Sequence, residues 1–454
     1  MKLAKWCRSV VVSVMVAVMV VTVAACSTSG GVVTGPPEDA VTITLAGWTL
    51  STRPEFQALA DGYHATHPNV VVQVKEYSAD DYDKQLIADL SAKKSTDVFP
   101  IKNLRMFYTY AQPGALADLS DLAADYENND DLRGLDDYRI DGRTYAMPYR
   151  QDVWVLFYNK TLLRKLGLAE PNGTWTWATY ESHCRTIGRA LKEHGMNGVY
   201  PTYHHTAWQS MPQSIVLSQY GGDSARDLFF SGDYAYLESF YARMTRMEAE
   251  GLTLPYNTIS SSKTTYQSQF GTQKAVLLPM ATWYMGPLAD AQQSGDAEDF
   301  EWGITTLPQQ TAGQTRHPRS FGDPTGFAIP ATLRGRELEA AKDFVRWASG
   351  EQGALALAKT GTLPAYWSQN VLNTFLNRPH MPQGAETRDA ITRNTLVPEN
   401  PVGEATQLIQ DELQIAHTSI MSGTAEPHAA LERASHAIQS SGLLPKHAGQ
   451  SAEP

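Results

Sequence analysis

Cysteine is scarce in this chain of 454 residues, which contains only Cys7, Cys26 and Cys184. Cys7 and Cys26 lie in or beside an N-terminal leader, so the body of the chain retains one cysteine and no internal disulfide. Cys184 follows Tyr180 and precedes Ile187 at the spacing of a helix face. We therefore interpret Cys184 as a small core residue rather than a catalytic nucleophile.

An excess of positive charge is also missing. The chain has 37 basic and 48 acidic residues, which gives a formal charge of −11. Without the leader residues Lys2, Lys5 and Arg8, 34 basic residues remain against the same 48 acidic ones, and the charge becomes −14. An acidic body argues against nucleic acid or an anionic membrane face as a partner.

The usual signatures of catalysis and metal binding are absent from the sequence. We find no Gly-x-Ser-x-Gly elbow, no His-Glu-x-x-His pair and no phosphate-cradling glycine loop. A glycoside hydrolase needs two carboxyl groups at one scissile bond, and no such pair stands out among 48. His64 and His67 lack nearby ligand partners, and His204 and His205 are compatible with either a loop or ligand contacts. We expect no cofactor, no metal and no enzymatic activity.

Only one long apolar run is present, at residues 10–23, and Ser13 and Thr22 interrupt it. It is shorter than the roughly 20 residues of a membrane span, and cations precede it, as in a signal peptide. The sequence Ala-Ala-Cys at 24–26 then resembles a bacterial lipobox. This pattern predicts a signal peptide at 1–25 and acylation of Cys26, with palmitate among the acyl chains that hold the protein at the membrane. The alternative is an ordinary cleaved leader with an incidental cysteine.

A different composition follows the leader. Residues 26–40 are rich in Ser, Thr, Gly and Pro, which predicts a flexible tether. From residue 41 the chain alternates predicted strands (41–45, 70–74 and one beginning at 97) with predicted helices (54–67 and 82–92). This βαβ alternation indicates a parallel sheet with helices on both faces.

Aromatic residues are abundant, with ten Trp and twenty-one Tyr. Several are flanked by Gly, Pro or Thr rather than placed on predicted helix faces. Such placement favours exposed platforms on which the apolar face of a sugar ring can stack.

Short motifs along nearly the whole chain resemble those of the extracellular sugar-binding proteins of bacterial ABC importers, the family that includes maltose-binding protein. The most specific motifs are 141–148 (Asp-Gly-Arg-Thr-Tyr-Ala-Met-Pro), 157–160 (Phe-Tyr-Asn-Lys), 174–180 (Thr-Trp-Thr-Trp-Ala-Thr-Tyr), 270–276 (Phe-Gly-Thr-Gln-Lys-Ala-Val) and 302–308 (Trp-Gly-Ile-Thr-Thr-Leu-Pro). Two segments depart from the family pattern: 93–95 (Lys-Lys-Ser) replaces a glycine-bearing turn, and 99–110 is unusually aromatic and basic.

The resemblance implies an α/β periplasmic-binding-protein-like fold, with two lobes joined by crossing strands and a ligand cleft between them. By analogy, the crossings lie near 148–153, 305–308 and 361–365. Lobe one is then expected at 41–150 and 306–361, and lobe two at 151–305 and 362–442. Residues 443–454 are expected to form a tail.

A sugar site needs flat aromatic side chains together with fixed groups that bind hydroxyls. From the family pattern and the ends of predicted strands, we predict a set of ligand-binding residues: Trp48, Asn103, Arg105, Asp152, Trp208, Trp283, Tyr284, Asp323 and Trp367. Alternatives remain for three of them. Trp48 is also compatible with packing on its own lobe, Asp152 with a hinge salt bridge to Arg150, and Asp323 with capping its turn.

Together these features predict a monomeric, lipid-anchored subunit on the extracellular side of the cell membrane. It would bind a sugar, with the aromatic content favouring an oligosaccharide, and deliver it to the permease subunits of an ABC importer. Two alternatives are a lipid-anchored carbohydrate-active enzyme and a binding lobe that serves a membrane sensor.

Overall fold

The computed structural model describes residues 40–112, 114–205 and 210–445, except for the side chain of Ser210. Within these ranges no helix combines the length and the apolar character that a membrane span requires. The predicted signal peptide, Cys26, the tether up to residue 39, Trp208 and residues 446–454 of the tail lie outside the described residues.

Thirteen strands are present in the described part of the chain. They are β1 Val41–Trp48, β2 Val70–Tyr77, β3 Phe99–Ile101, β4 Arg139–Ile140, β5 Arg143–Thr144, β6 Met147–Gln151, β7 Trp154–Asn159, β8 Tyr200–Thr202, β9 Ala275–Ala281, β10 Trp302–Thr306, β11 Arg319–Phe321, β12 Pro324–Ala328 and β13 Thr395–Val397.

Helices surround these strands. They are α1 Glu55–Thr66, α2 Tyr82–Ser91, α3 Phe107–Ala111, α4 Ser120–Ala123, α5 Lys160–Lys165, α6 Trp177–Glu193, α7 Ser210–Val216, α8 Ala225–Phe229, α9 Glu238–Ala249, α10 Tyr256–Ser262, α11 Tyr266–Phe270, α12 Met285–Ser294, α13 Gly335–Ser349, α14 Glu351–Lys359, α15 Gln369–Leu376, α16 Ala385–Thr392, α17 Thr406–Met421 and α18 Pro427–Ser440.

The N-terminal βαβ unit forms as its alternating pattern predicts. β1 and β2 pair in parallel along their whole length, from Val41 opposite Val70 to Trp48 opposite Tyr77. The third predicted strand also begins parallel to β1, through a bridge between Leu45 and Val98, whereas β3 pairs antiparallel with β12 on its other side. β12 returns to this region from late in the chain and inserts between β3 and β6. The direction of β12 relative to β3 and β6 therefore depends on how the distant part of the chain returns, and not on any local sequence pattern.

A second sheet has the order β10-β7-β9-β8. All six residues of β7 are buried, which is the pattern of a central strand covered on both faces. β7 pairs antiparallel with β9 and β10, while β8 pairs in parallel with β9. Helix α6 packs on this sheet through a buried face that includes Cys184. Burial raises the pKa of the Cys184 thiol, and its interpretation as a core residue is confirmed.

Two hydrophobic cores divide the buried side chains. The first contains side chains of β1, α1 and α13, and the second contains those of β7, β9, α6 and the C-terminal helices. The chain passes from the three-stranded sheet β3-β12-β6 to the four-stranded sheet β10-β7-β9-β8 between β6 and β7. It returns to the three-stranded sheet between β11 and β12. This return lies later than the crossing expected at 305–308. Leu307 and Phe321 accordingly pack in the second core, although the predicted bounds assign 306–361 to lobe one. The lobe bounds themselves stay a prediction.

Candidate functional site

A cavity of about 570 Å³ lies between the two cores. Its first wall is the loop that follows β1 together with the start of α1, and its second wall is formed by α11, α12 and the turn after β9. Two crossing segments form its floor, the first through Arg150 and Asp152 and the second through residues 360–363. The cavity therefore draws residues from both cores, and it lies at the carboxyl end of β1, where open α/β sheets bind ligands.

The loop after β1 turns sharply. Thr49 adopts a left-handed conformation with φ of +53°, and α1 begins six residues later at Glu55. Thr49, Thr52 and Arg53 line the cavity as a result. Glu55, in the first turn of α1, is suited to this position because a carboxylate stabilises a helix N-terminus.

Three ionisable side chains form a buried network at the floor of the cavity. Arg150 Nη1 lies 3.1 and 3.4 Å from the two carboxylate oxygens of Glu55, and Arg150 Nε lies 3.4 Å from Asp152 Oδ2. The Thr362 hydroxyl donates to Glu55, and the Thr282 hydroxyl donates to Asp152 at 2.9 Å. Only 1% of the Glu55 side chain and 12% of the Arg150 side chain are exposed, so this ion pair is shielded from water.

Burial and charge act in opposite directions on these groups. Burial raises the pKa of Asp152, and the nearby Arg150 and the hydrogen bond from Thr282 offset only part of that rise. Burial by itself lowers the pKa of Arg150, but Glu55, Tyr149 and Asp152 together outweigh it, and the net shift is upward. The arginine thus stays charged between two carboxyl groups. Asp152 keeps acceptor capacity in the cavity for a ligand hydroxyl.

Successive side chains of the crossing strand point to opposite faces of it. Arg150 and Asp152 both line the cavity, whereas Gln151 points to the opposite side. There, Gln151 Nε2 donates to the carbonyl oxygens of Asp152 and Gly322, each at 3.0 Å. These bonds connect two passages of the chain between the cores and hold the floor of the cavity in position.

The opposite wall of the cavity is aromatic. Trp283 follows β9 and packs edge-to-face on Trp154, with ring centroids 5.4 Å apart. A hydrogen bond joins Trp283 to the Tyr266 hydroxyl, and both side chains line the cavity. Burial raises the pKa of Tyr266, so its phenol remains protonated and able to donate a hydrogen bond. An aromatic surface thus faces a charged, hydrogen-bonding floor.

Two predicted site residues are buried behind the cavity wall. Trp48 is only 4% exposed and packs edge-to-face on Phe56 and Tyr82, with centroids 4.9 and 5.2 Å away. Tyr284 is 2% exposed and packs on Tyr266 at 4.8 Å. Trp48 thus takes the alternative position, packed on its own lobe.

Three further predicted residues lie at a contact between the two cores, and two of them, Arg105 and Asp323, form it. Asn103 Oδ1 caps a short turn by accepting from the backbone N–H of Arg105 at 3.1 Å. Arg105 donates to Gln407 at 3.0 Å and forms an ion pair with Asp411, both on α17.

Asp323 accepts from the backbone N–H of Leu104 at 2.9 Å. It also accepts from the backbone and side-chain amides of Asn400, at 3.0 and 2.6 Å. Burial raises the pKa of Asp323, and these hydrogen bonds limit the rise. Arg105 and Asp323 therefore join the segment after β3 to the segment around α17, while Asn103 caps the turn that carries Arg105. None of the three lines the 570 Å³ cavity.

Trp367 lines a different cavity of about 380 Å³, which also includes Gln151 and lies on the other side of the crossing strand. Its indole N–H donates to the carbonyl oxygen of Pro364 at 2.7 Å. Of the predicted set, Asp152 and Trp283 line the cavity between the cores. Trp208 and the lipidation residue Cys26 lie outside the described residues.

The histidines in the described ranges are not grouped as a metal centre would require. Burial lowers the pKa of both His204 and His205 to about 4, and His204 Nε2 lies 3.1 Å from the Tyr180 hydroxyl. Across the described ranges, no three His, Cys, Asp or Glu side chains are grouped so that they could hold a metal ion.

Sequence reasoning missed several residues that line the cavity, chiefly Arg53, Glu55, Arg150 as a site group, Tyr266 and Thr362. One signal was available for the first two, since they follow β1 at the edge where ligands bind. Tyr266 and Thr362 carry no local signal, because long-range folding alone places them beside Asp152.

The chain is similar in sequence to known binding proteins. The family profile described as bacterial extracellular solute-binding protein matches residues 48–355. A curated protein of Brucella abortus named as a putative binding protein is 23% identical over 410 residues, covering 87% of this chain and 91% of that protein. An uncharacterised lipoprotein of Streptomyces antibioticus is 25% identical over 326 residues, covering 67% of this chain and 66% of that one.

Solved structures agree with the profile. A sugar transporter of Rhizobium etli in an open conformation has 26% identity and a TM-score of 0.74, and the match covers 88% of this chain and 100% of that one. An ABC substrate-binding protein of Listeria monocytogenes, solved with cycloalternan, has 19% identity and a TM-score of 0.71, with 89% and 99% coverage. The predicted two-lobed α/β fold and the predicted family resemblance are confirmed.

Proposed function

The chain belongs to the bacterial extracellular solute-binding protein family, and we propose that it captures an oligosaccharide in the cavity between its lobes and delivers it to the permease of an ABC importer. The observation that carries this proposal is the pairing of two kinds of surface across one cavity. Trp283 and Tyr266 form an aromatic wall, and Asp152 with Arg150 forms a polar floor.

This pairing suits the chemistry of sugars. A pyranose ring has apolar C–H faces that stack on aromatic rings, and its rim of hydroxyls needs fixed acceptors and donors. Because Asp152 and Arg150 are held by Thr282 and Glu55, they bind hydroxyls with little loss of side-chain freedom. The cavity volume falls within the usual range for small-molecule sites. The Rhizobium etli structure described as a sugar transporter supports the same ligand class.

The lipid anchor completes the proposal. Acylation of Cys26 would keep the binding lobes beside the permease, and the Ser-, Thr-, Gly- and Pro-rich segment after it would serve as a flexible tether. The Streptomyces antibioticus relative named as a lipoprotein supports this anchor. A Cys26→Ser variant is expected in the culture medium rather than in the membrane fraction. Equal membrane retention of parent and variant on immunoblots would contradict the anchor.

Binding is tested with the mature protein, lacking the leader, against a panel of neutral and acidic oligosaccharides by thermal shift and calorimetry. At least one sugar should stabilise the protein and be recovered unchanged. Asp152→Ala and Trp283→Ala should each weaken its binding roughly tenfold or more. Tyr220→Ala is the control, because Tyr220 is an exposed aromatic that does not line the cavity.

The same experiment separates the alternatives. Release of shortened products from the bound sugar would favour a carbohydrate-active enzyme and overturn a purely binding role. Transport is tested by uptake of the labelled sugar in cells that lack this gene. Unchanged uptake, with altered gene expression in response to the sugar, would instead favour a sensor.

A further inference from the structure

A second cavity, of about 380 Å³, lies on the other side of the crossing strand from the 570 Å³ cavity. Arg133 and Asp137 line it from the segment before β4, and residues 394–398 line it from the segment that contains β13. Gln151 and Trp367 lie in the same lining. The volume is at the lower end of the usual range for small-molecule sites, so it suits a single sugar ring or a short polyol rather than an oligosaccharide.

Two amide oxygens of this lining accept no hydrogen bond from the described residues. Asn394 Nδ2 donates to the carbonyl oxygen of Ala390 at 2.6 Å, which orients the amide and leaves its buried Oδ1 without a donor. Gln151 uses its amide group to donate to two carbonyl oxygens at 3.0 Å, so its Oε1 remains as an acceptor. A Cβ atom at Gly134 would lie 2.8 Å from that oxygen, although Gln151 is only 2% exposed. Both amide oxygens therefore lack a protein donor where bulk water is largely excluded, which is costly unless a bound molecule supplies one.

Asp137 adds a carboxyl group. Within the parts of the chain that the structure describes, no hydrogen bond or ion pair reaches it. Burial, with the charges of Asp323 and Asp136, raises the pKa of Asp137 to about 7. Both protonation states are therefore populated near neutral pH. A hydroxyl group suits either state, because it donates to an ionised carboxylate and accepts from a protonated one.

Arg133 supplies donors, and Trp367 supplies an apolar surface. The guanidinium of Arg133 lies 5.2 Å from the centroid of the Trp367 ring, and it forms no ion pair with any residue in the described ranges. A guanidinium has five N–H donors, so Arg133 retains donors for a ligand. The indole N–H of Trp367 donates to the carbonyl oxygen of Pro364 at 2.7 Å, so this side chain offers only apolar ring atoms to the cavity.

We propose that this second cavity binds a single sugar ring or a short polyol. Ligand hydroxyls bond to the amide oxygens of Asn394 and Gln151 and to the carboxyl group of Asp137. Another hydroxyl accepts from Arg133, and the C–H groups of the ligand pack on Trp367. A hydroxylated ligand fits better than an ammonium, which has only donors and would be repelled by the guanidinium, or a carboxylate, which has only acceptors. The site goes beyond the proposed function, because it does not require the 570 Å³ cavity to bind a sugar.

The test removes the first cavity as a competing site. The mature protein with both Asp152→Ala and Trp283→Ala is titrated by calorimetry at pH 7 with glucose, mannose, xylose, mannitol and myo-inositol. At least one of these compounds should bind at one site per chain with a Kd below about 1 mM. If none of them does, the second site is wrong, whatever the parent protein binds.

Further substitutions in that double variant assign the binding to the second cavity. Arg133→Met keeps an aliphatic stem beside Trp367 and removes the donors, and Asn394→Leu keeps the approximate size and removes Oδ1. Each should weaken binding roughly tenfold or more. Arg139→Met is the matched control, because Arg139 is an exposed arginine close in sequence that does not line this cavity. Circular dichroism checks that each variant is folded, and Arg133→Met is decisive because Arg133 is exposed.

The outcomes separate this site from the proposed function. Binding that Arg133→Met weakens and Arg139→Met leaves unchanged would support the second site. Equal binding by a folded Arg133→Met variant and its background would place the ligand elsewhere and overturn the proposal. A parent protein that binds a small sugar in this way but binds no oligosaccharide would overturn the proposed function alone.

Discussion

The ion pair between Glu55 and Arg150 offers the sharpest test of how the cleft is held together. Glu55 is 1% exposed, and its carboxylate binds Arg150 at 3.1 and 3.4 Å and the Thr362 hydroxyl at 3.1 Å. Glu55→Gln removes the charge and keeps the size and one acceptor oxygen. The substitution therefore isolates the electrostatic contribution of a single buried group.

The expected loss follows from the partners that remain. Removing one member of a buried ion pair costs about 3–5 kcal/mol, because the other charge is left desolvated. Here Arg150 retains Asp152 at 3.4 Å, and glutamine can still accept the bond from Thr362. We therefore expect a loss at the lower end of the range, about 3 kcal/mol. With a denaturant slope of about 2–3 kcal/mol per molar, the urea midpoint should fall by about 1 M.

The measurement is urea unfolding of the mature protein at pH 7 without ligand, followed by circular dichroism. The matched control is Glu301→Gln, since Glu301 also pairs with an arginine, Arg164, but both side chains are about two-thirds exposed. Its midpoint should not change measurably, because water screens exposed ion pairs. Equal midpoints for Glu55→Gln and the parent protein would refute the argument that burial makes this network stabilising.

Further predictions concern other parts of the fold. A Cβ atom at Gly322 would lie 2.1 Å from the carbonyl oxygen of Asp152, so Gly322→Ala should lower the free energy of unfolding by about 1–3 kcal/mol or more in urea unfolding. Gly313→Ala should not, because its Cβ would make only an ordinary van der Waals contact with Thr311 at 3.9 Å. Burial, with help from the nearby Asp323, raises the pKa of Asp137 to about 7. Because the folded state then holds this proton more tightly than the unfolded chain, the free energy of unfolding should fall as the pH rises from about 4 to about 7. Asp137→Asn should remove part of that fall and gain most over the parent at pH 8; an equal difference at pH 4.5 and 8 would contradict the assignment. The buried Cys184 should react with a thiol reagent only as fast as the protein unfolds, and rapid reaction in native buffer would show that the site opens locally.

The parts of the structure that rest on local patterns were predictable from the sequence. The alternating residues of β1 and β2 and the helical spacing of α1 give the N-terminal βαβ unit. Thr176 caps α6 through a reciprocal bond with Thr179, as its position before a helical pattern indicates. The family resemblance also belongs here, because its motifs are short segments in a fixed order. In each case the signal lies within a few residues of the element it describes.

The candidate site was predictable only in part. Asp152 and Trp283 line the cavity, and each follows a recognisable motif. Trp48 and Tyr284 come from equally good motifs, yet both are buried. A motif specifies the residue and its strand end. It does not specify which neighbours cover that side chain.

By itself, the amino-acid sequence determined the family, the two-lobed α/β class, the N-terminal leader pattern and the residues available for a polar and aromatic cleft. The tertiary structure alone decided that β12 inserts between β3 and β6 and that Glu55 meets Arg150. It also decided that Asp152 and Trp283 line the same cavity. The physical reason is distance along the chain. Periodicity and capping act over a few residues, whereas burial and charge pairing depend on segments that meet only when the chain returns between the lobes.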